Sequence, residues 1–156
     1  MVQYVYKERG DERLRPIVQS HRLRVRYQET DQMGVVYHAN YLNWFEVGRT
    51  EFIRHTGLTY RELEEKGIML PVMDARISYK KPARYDDEVD IRTWVGQVSA
   101  VRLAFCYEII RVADQELLVS GETMHAFTNS ELKPIRLSRV QPAIYDWLTT
   151  MHKGEE

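Results

Sequence analysis

Between Ala39 and His55 apolar side chains recur at helical spacing, and this is the one long run of that period in the chain. At 100° per residue Tyr41, Trp44, Phe45, Gly48, Phe52 and His55 gather on one face. Almost everything around this run alternates with period two instead. A long helix with a single apolar face needs a sheet to bury it, so the order of elements restricts the fold to a sheet laid against one helix.

The alternating runs define that sheet. Leu23, Val25 and Tyr27 interleave with Arg22, Arg24, Arg26 and Gln28, predicting a half-buried first strand over 22–28. After the helix, a short second helix is predicted over 59–66: Thr59 stands as N-cap with Glu62 three places on, and Gly67 closes it. Met73, Ala75, Ile77 and Tyr79 then alternate with polar partners, as do Val89, Ile91, Thr93 and Val95. Gly96–Ala100 reads as a turn, Val101–Val112 as a strand apolar on both faces, and Leu117–Phe127 as the last strand before Pro134. The four later strands are expected to pair mostly as an antiparallel meander. A terminal helix is predicted over 142–151. Gly57 suits the end of the long helix, whereas Gly48 in its middle costs about 1 kcal/mol against alanine and implies a close approach there.

The expected architecture is therefore one α+β domain over residues 21–130. A 1–20 extension of mixed charge, with a short helix or a docking strand in it, precedes the domain; a 131–156 tail follows it. A chain of 156 residues suffices for one domain. A net charge of −1 gives no global attraction to nucleic acid or anionic lipid. Cys106 is the only cysteine, which excludes an intrachain disulfide and a thiolate metal cage. It lies in the apolar stretch 103–110, as a small buried hydrophobe would. The charged N-terminal stretch does not read as a secretory signal, and no segment reaches the ~18 apolar residues of a membrane span, so a cytoplasmic location is expected.

The chemistry is concentrated in residues 27–41, Tyr-Gln-Glu-Thr-Asp-Gln-Met-Gly-Val-Val-Tyr-His-Ala-Asn-Tyr. They read as a strand end, a tight loop holding Asp31 and Gly34, and the opening turn of the long helix. Such a loop sets one carboxylate beside helix N–H groups that lack intrahelical partners, where the dipole adds about half a positive charge. A carbonyl oxygen bound at that end is stabilised as negative charge develops on it. The plain alternative is that Asp31 bonds only its own backbone, the common use of aspartate near glycine.

This motif, together with Trp44-Phe45-Glu46 and Arg49-Thr50-Glu51 in the helix and the segment 79–87, Tyr-Lys-Lys-Pro-Ala-Arg-Tyr-Asp-Asp, resembles the hotdog-fold acyl-CoA thioesterases. More narrowly it is similar to the 4-hydroxybenzoyl-CoA thioesterase branch that includes Tol-Pal-associated thioesterases. The resemblance covers roughly residues 21–130. It implies a five-stranded antiparallel sheet wrapped around the helix, and homodimers joined edge to edge with active sites at the interface; tetramers are common in the family. It also implies hydrolysis of an acyl-CoA thioester with neither metal nor cofactor.

By that resemblance Asp31 attacks the thioester carbonyl or activates a water, and the backbone N–H of His38 is the main oxyanion donor. The His38 imidazole varies within the family, so it either takes part in catalysis or only caps and positions. Gly34 permits the turn or a close ligand approach, and Tyr37 stands at the helix start. Lys81 and Arg84, with Lys80 in the same loop and Arg102 after the 96–100 turn, are candidates for the coenzyme A phosphates. The hydroxybenzoyl members carry several basic residues at that turn. Here it reads Gln97-Val98-Ser99-Ala100-Val101-Arg102, which points to another substrate, expected to be a short- to medium-chain aliphatic acyl group.

Glu46 needs weighing because other hotdog branches use a helix glutamate as base. It lies about 140° round the helix from Tyr41 and has Arg49 three places on, so an ion pair is expected. His21, His55, His125 and His152 lack motif context and are expected to be structural or superficial. No Gly-x-Ser-x-Gly elbow, phosphate-cradling glycine loop or metal-spaced His/Cys cluster occurs. The remaining alternatives on this fold are an acyl-thioester dehydratase or hydratase and a non-catalytic acyl-CoA binder.

Overall fold

A computed structural model describes residues 15–154; the expectations for the first residues of the 1–20 extension lie outside them. Five strands form one antiparallel sheet in the order β1-β3-β4-β5-β2, with β1 spanning Gln19–Arg24, β2 Val72–Tyr79, β3 Glu88–Val98, β4 Arg102–Arg111 and β5 Leu117–Ala126. The helix α1, Asn40–His55, lies against one face of it. The α+β class and the five-stranded antiparallel sheet around one long helix are thus as expected.

Helix and sheet touch through aromatic rings and two glycines. Phe45 stacks on Tyr107 with centroids 4.2 Å apart and planes 6° from parallel, and Phe52 meets Phe105 edge-on at 5.8 Å. A Cβ on Gly48 would come within 2.5 Å of Thr93 Oγ1 and 2.8 Å of Ile91 Cγ2, so the close approach inferred from sequence is real. Gly121 on β5 plays the matching part, with the Phe45 ring where its Cβ would stand. His55 falls outside the buried face and lies 3.9 Å from Glu51; Ile53 is buried instead.

Four further expectations need correction. The first strand ends at Arg24, because Val25 turns to exchange backbone bonds with Asp86 and Asp87. A 3-10 turn, Tyr27–Glu29, then swings Tyr27 outward to 76% exposure. The four later strands are not one meander: β2 crosses to the far edge and pairs with β5, leaving β3-β4-β5 as the meander. Gly96 makes no turn; β3 runs through it with a register shift between Val95 and Gln97, a bulge that glycine tolerates. Finally, β2 is exposed along nearly its whole length despite its alternation, since no helix among the described residues covers it as α1 covers the other strands.

The helix α2, Tyr60–Glu65, forms with Thr59 accepting from Glu62 N and Glu62 bonding back to Thr59 N, the expected capping box. Beyond β5 a short α3, Leu137–Val140, precedes α4, Pro142–Lys153, which buries Ile144 and Leu148 in the common core. The tail thus shares the main hydrophobic core through Leu137, Ile144 and Leu148. Cys106 is buried, and burial with the Glu122 carboxylate beside it pushes its thiol up to about 12.

His125 has no exposed surface and ends a buried polar chain. Its Nδ1 lies 3.0 Å from the Leu70 carbonyl, which can only accept, so Nδ1 carries the proton. Nε2 therefore accepts from Thr123 Oγ1 at 2.8 Å, and Thr123 accepts from the Tyr107 hydroxyl at 2.6 Å. Burial lowers the imidazole pKa from 6.5 to about 4. Between those values the unfolded chain binds the proton and the folded chain does not, so stability is lost as pH falls through the window. The loss from this residue approaches about 3 kcal/mol near pH 4. Urea midpoints measured from pH 7 to pH 4 should fall accordingly, and His125→Asn should flatten the dependence; an unchanged slope in the variant would show another group responsible.

Candidate active site

The loop between β1 and α1 is a small hairpin held by its own backbone. Thr30 and Val36 bridge across it, Asp31 N donates to Val35 O at 2.9 Å, and Gly34 N donates to Asp31 O at 3.0 Å. Gly34 has φ +78°, where a Cβ is strained, and nothing lies within 4 Å of the place a Cβ would occupy. Its role here is therefore the turn. Asp31 is half-buried, and its Oδ1 accepts from Met33 N at 2.8 Å. The local backbone bond anticipated for an aspartate near glycine thus uses one carboxylate oxygen, and the other takes no bond from the described residues.

Glu29, not singled out from sequence, ties this loop to the helix. The residue is 8% exposed, and its carboxylate accepts from Arg26 N at 2.8 Å and from Trp44 Nε1 at 2.8 Å. Its carbonyl accepts from Tyr37 N at 2.9 Å and Asn40 Nδ2 at 2.8 Å. A signal existed: a buried tryptophan N–H requires an acceptor, and an acid inside an otherwise apolar motif is the natural one.

The start of α1 supplies donors. Tyr37 N is consumed by Glu29, and Asn40 N bonds Tyr37 O at 2.9 Å. The N–H groups of His38 and Ala39 between them donate to no acceptor among the described residues. Two consecutive uncommitted N–H groups at the positive end of a helix form an anion-stabilising corner. The Tyr79 hydroxyl, from the end of β2, donates to His38 O at 3.0 Å.

The side chains expected nearby divide into two sets. The His38 and Tyr37 rings are exposed and 4.4 Å apart, and His38 meets Tyr79 at 6.5 Å. Tyr41 and Trp44 are core residues committed to Ala83 N and Glu29, while Met33 and Tyr37 are exposed. Lys81 and Arg84 share the 80–87 loop that Tyr41 anchors to the helix start. Lys81 pairs with Glu116 at 3.0 Å, and Arg84 is exposed, with its backbone N–H held by Asp87.

Arg102 stands elsewhere. Along β4, Tyr107 lies under Phe45 and Phe105 under Phe52, so Arg102 belongs to the end of the sheet facing the helix C-terminus. A single chain does not bring it to Asp31. Arg49 lies beside the Tyr107 and Tyr60 hydroxyls, and no ion pair with Glu46 occurs among the described residues. An apolar crevice lined by Ile53, Leu63, Ile68, Phe127, Ile144 and Leu148 also sits at that far end, about 20 Å along the helix from its start. No helix is long and apolar enough to cross a membrane, and no group of three metal-ligating side chains occurs among the described residues.

Comparison with known proteins brings thioesterases forward. The family model described as the thioesterase-like superfamily matches residues 25–148. A Bacillus subtilis relative, YneP, named provisionally as an acyl-CoA thioesterase, is 41% identical over 86% of this chain and 95% of its own length. The Haemophilus influenzae acyl-CoA thioesterase YbgC is 38% identical over 81% of this chain and 93% of its own. The crystal structure of the DHNA-CoA thioesterase from Staphylococcus aureus superposes with a TM-score of 0.80 at 37% identity, over 85% of this chain and 89% of that one. The chain belongs to the thioesterase-like superfamily, and its sheet wrapped on one helix is the hotdog fold.

Proposed function

We propose that this protein hydrolyses acyl-CoA thioesters, with the Asp31 carboxylate as nucleophile or general base and the His38 and Ala39 N–H groups as the oxyanion hole. The observation that supports this most is the pairing of a half-buried carboxylate, one oxygen uncommitted, with two consecutive unused N–H groups at the start of α1. The attacking group is water deprotonated by Asp31, or Asp31 itself with water then cleaving the acyl-aspartyl anhydride. Attack moves charge onto the carbonyl oxygen, which those groups stabilise, and collapse expels the coenzyme A thiolate. The His38 ring, exposed at the same corner, is in place to orient water or to help the sulfur leave.

The working form in this reading is a homodimer or a tetramer built from such dimers. The two sheet edges differ in a way that selects the interface. On β1, Arg22 and Arg24 pair with Asp90, Asp86 and Glu88 and fill the edge with charge. On β2, Val72, Met73 and Tyr79 stand 48%, 66% and 51% exposed beside unpaired backbone, the edge open to strand addition. Joining there would let Arg102 of a second copy serve coenzyme A alongside Lys81 and Arg84.

The acyl group is short- to medium-chain aliphatic in this reading. The apolar side chains exposed in the loop are Met33 and Tyr37, with no rigid slot from Tyr41 or Trp44. The reaction is placed in the cytoplasm, and no metal or cofactor takes part. Free-thiol detection over a panel from acetyl- to decanoyl-CoA, with a hydroxybenzoyl thioester included, tests class and specificity together. Thiol release should be fastest with the aliphatic members. Preference for the aromatic thioester would overturn the specificity, and hydration without thiol release would mark the protein as a hydratase.

A further inference from the structure

We propose that the Tyr79 hydroxyl is a positioning group for the oxyanion hole, acting through the His38–Ala39 peptide; this rests on the reading of those N–H groups given above. In a trans peptide the C=O and N–H point in opposite directions, so whatever holds the carbonyl aims the N–H. Asn40 N holds Tyr37 O at 2.9 Å, which aims the His38 N–H. The next carbonyl, His38 O, is not claimed by the helix, because Leu42 N turns to Ala39 O at 3.1 Å. Among the described residues its partner is Tyr79, at 3.0 Å. The Ala39 N–H on the other side of that plane is thus aimed by a side chain 41 residues from His38 in sequence.

The hydroxyl has a rigid mount. Tyr79 is the last residue of β2, paired with Val119, and the chain is fastened just beyond it by Lys80 N and Lys81 N, both donating to Leu118 O at 2.8 and 3.0 Å. Its ring contacts Tyr41 at 5.6 Å, and Tyr41 is fixed in turn by Ala83 N. Donation to a peptide carbonyl also polarises the unit and strengthens its N–H as a donor. A water could occupy the hydroxyl's place in its absence but would not be held there, so the geometry at the transition state would be set only as the reaction proceeds. Tyr79 needs no contact with substrate to act in this way.

Tyr79→Phe removes the hydroxyl and keeps the ring. The expected result is a kcat for acyl-CoA hydrolysis about tenfold lower, with KM within twofold, the same elution volume on size exclusion and a Tm within about 2 °C of the parent. Unchanged kcat overturns the inference, as does a rise in KM alone, which would make Tyr79 a substrate contact. A fall in activity accompanied by altered assembly or a lowered Tm also overturns it. Asp31→Asn assayed in parallel separates the two levels. If that variant stays active, the catalytic reading itself fails; if it is inactive while Tyr79→Phe is fully active, only the positioning role fails.

Discussion

Asp31→Asn is expected to reduce thiol release from acyl-CoA by about 10³-fold or more while leaving the fold and substrate binding in place. The substitution isolates the chemistry because of how the side chain is used. Oδ1 accepts from Met33 N at 2.8 Å, and an asparagine oxygen accepts that bond equally well, so the turn around Gly34 survives. What is lost is the negative charge and the basicity of the second oxygen, needed for attack or for taking a proton from water. Asp31→Ala would be a poorer test, since it also frees Met33 N and loosens the loop. The measurements are kcat on the best substrate of the panel, Tm, and acyl-CoA affinity by calorimetry. Retention of more than about a tenth of the activity, with Tm unchanged, would remove Asp31 from the mechanism.

Much of this was legible because period and spacing survive folding. The helix falls on its expected residues, its buried face is as spaced apart from His55, and the capping box at Thr59 and Glu62 forms as written. Asp31, Gly34 and the helix start were found together because they are adjacent in sequence. The relations that escaped are long-range. Alternation in 72–79 marks a strand but does not say which edge it joins, so the crossing of β2 past β3 and β4 to reach β5 was missed. That crossing brings Tyr79 to His38. The same limit put Arg102 with the other basic residues, since the turn after Val98 gives no sign in sequence of which end of the helix it faces.

Gly121→Val is expected to destabilise the fold by about 5 kcal/mol, at the far end of what a single substitution does. The ideal Cβ position lies 2.4 and 2.5 Å from Phe45 Cε2 and Cζ and 2.7 Å from Arg76 O. None of these can yield cheaply. The Phe45 ring is stacked on Tyr107 at 4.2 Å, and Arg76 O belongs to β2, held in register with β5. The branched side chain would therefore lift α1 from the sheet or part β2 from β5, and either movement opens the core. Gly48→Ala should cost less, roughly 1–2 kcal/mol, because about 1 kcal/mol gained in helix propensity offsets part of the clash with Thr93 and Ile91. Gly34→Ala meets no atoms and should cost about 1 kcal/mol, the strain of a Cβ at its positive φ. Thermal unfolding of the three variants should rank them in that order, with Gly121→Val lower in Tm by about 10–20 °C. If instead Gly121→Val melts near the parent, α1 cannot rest against β5 as closely as these contacts require.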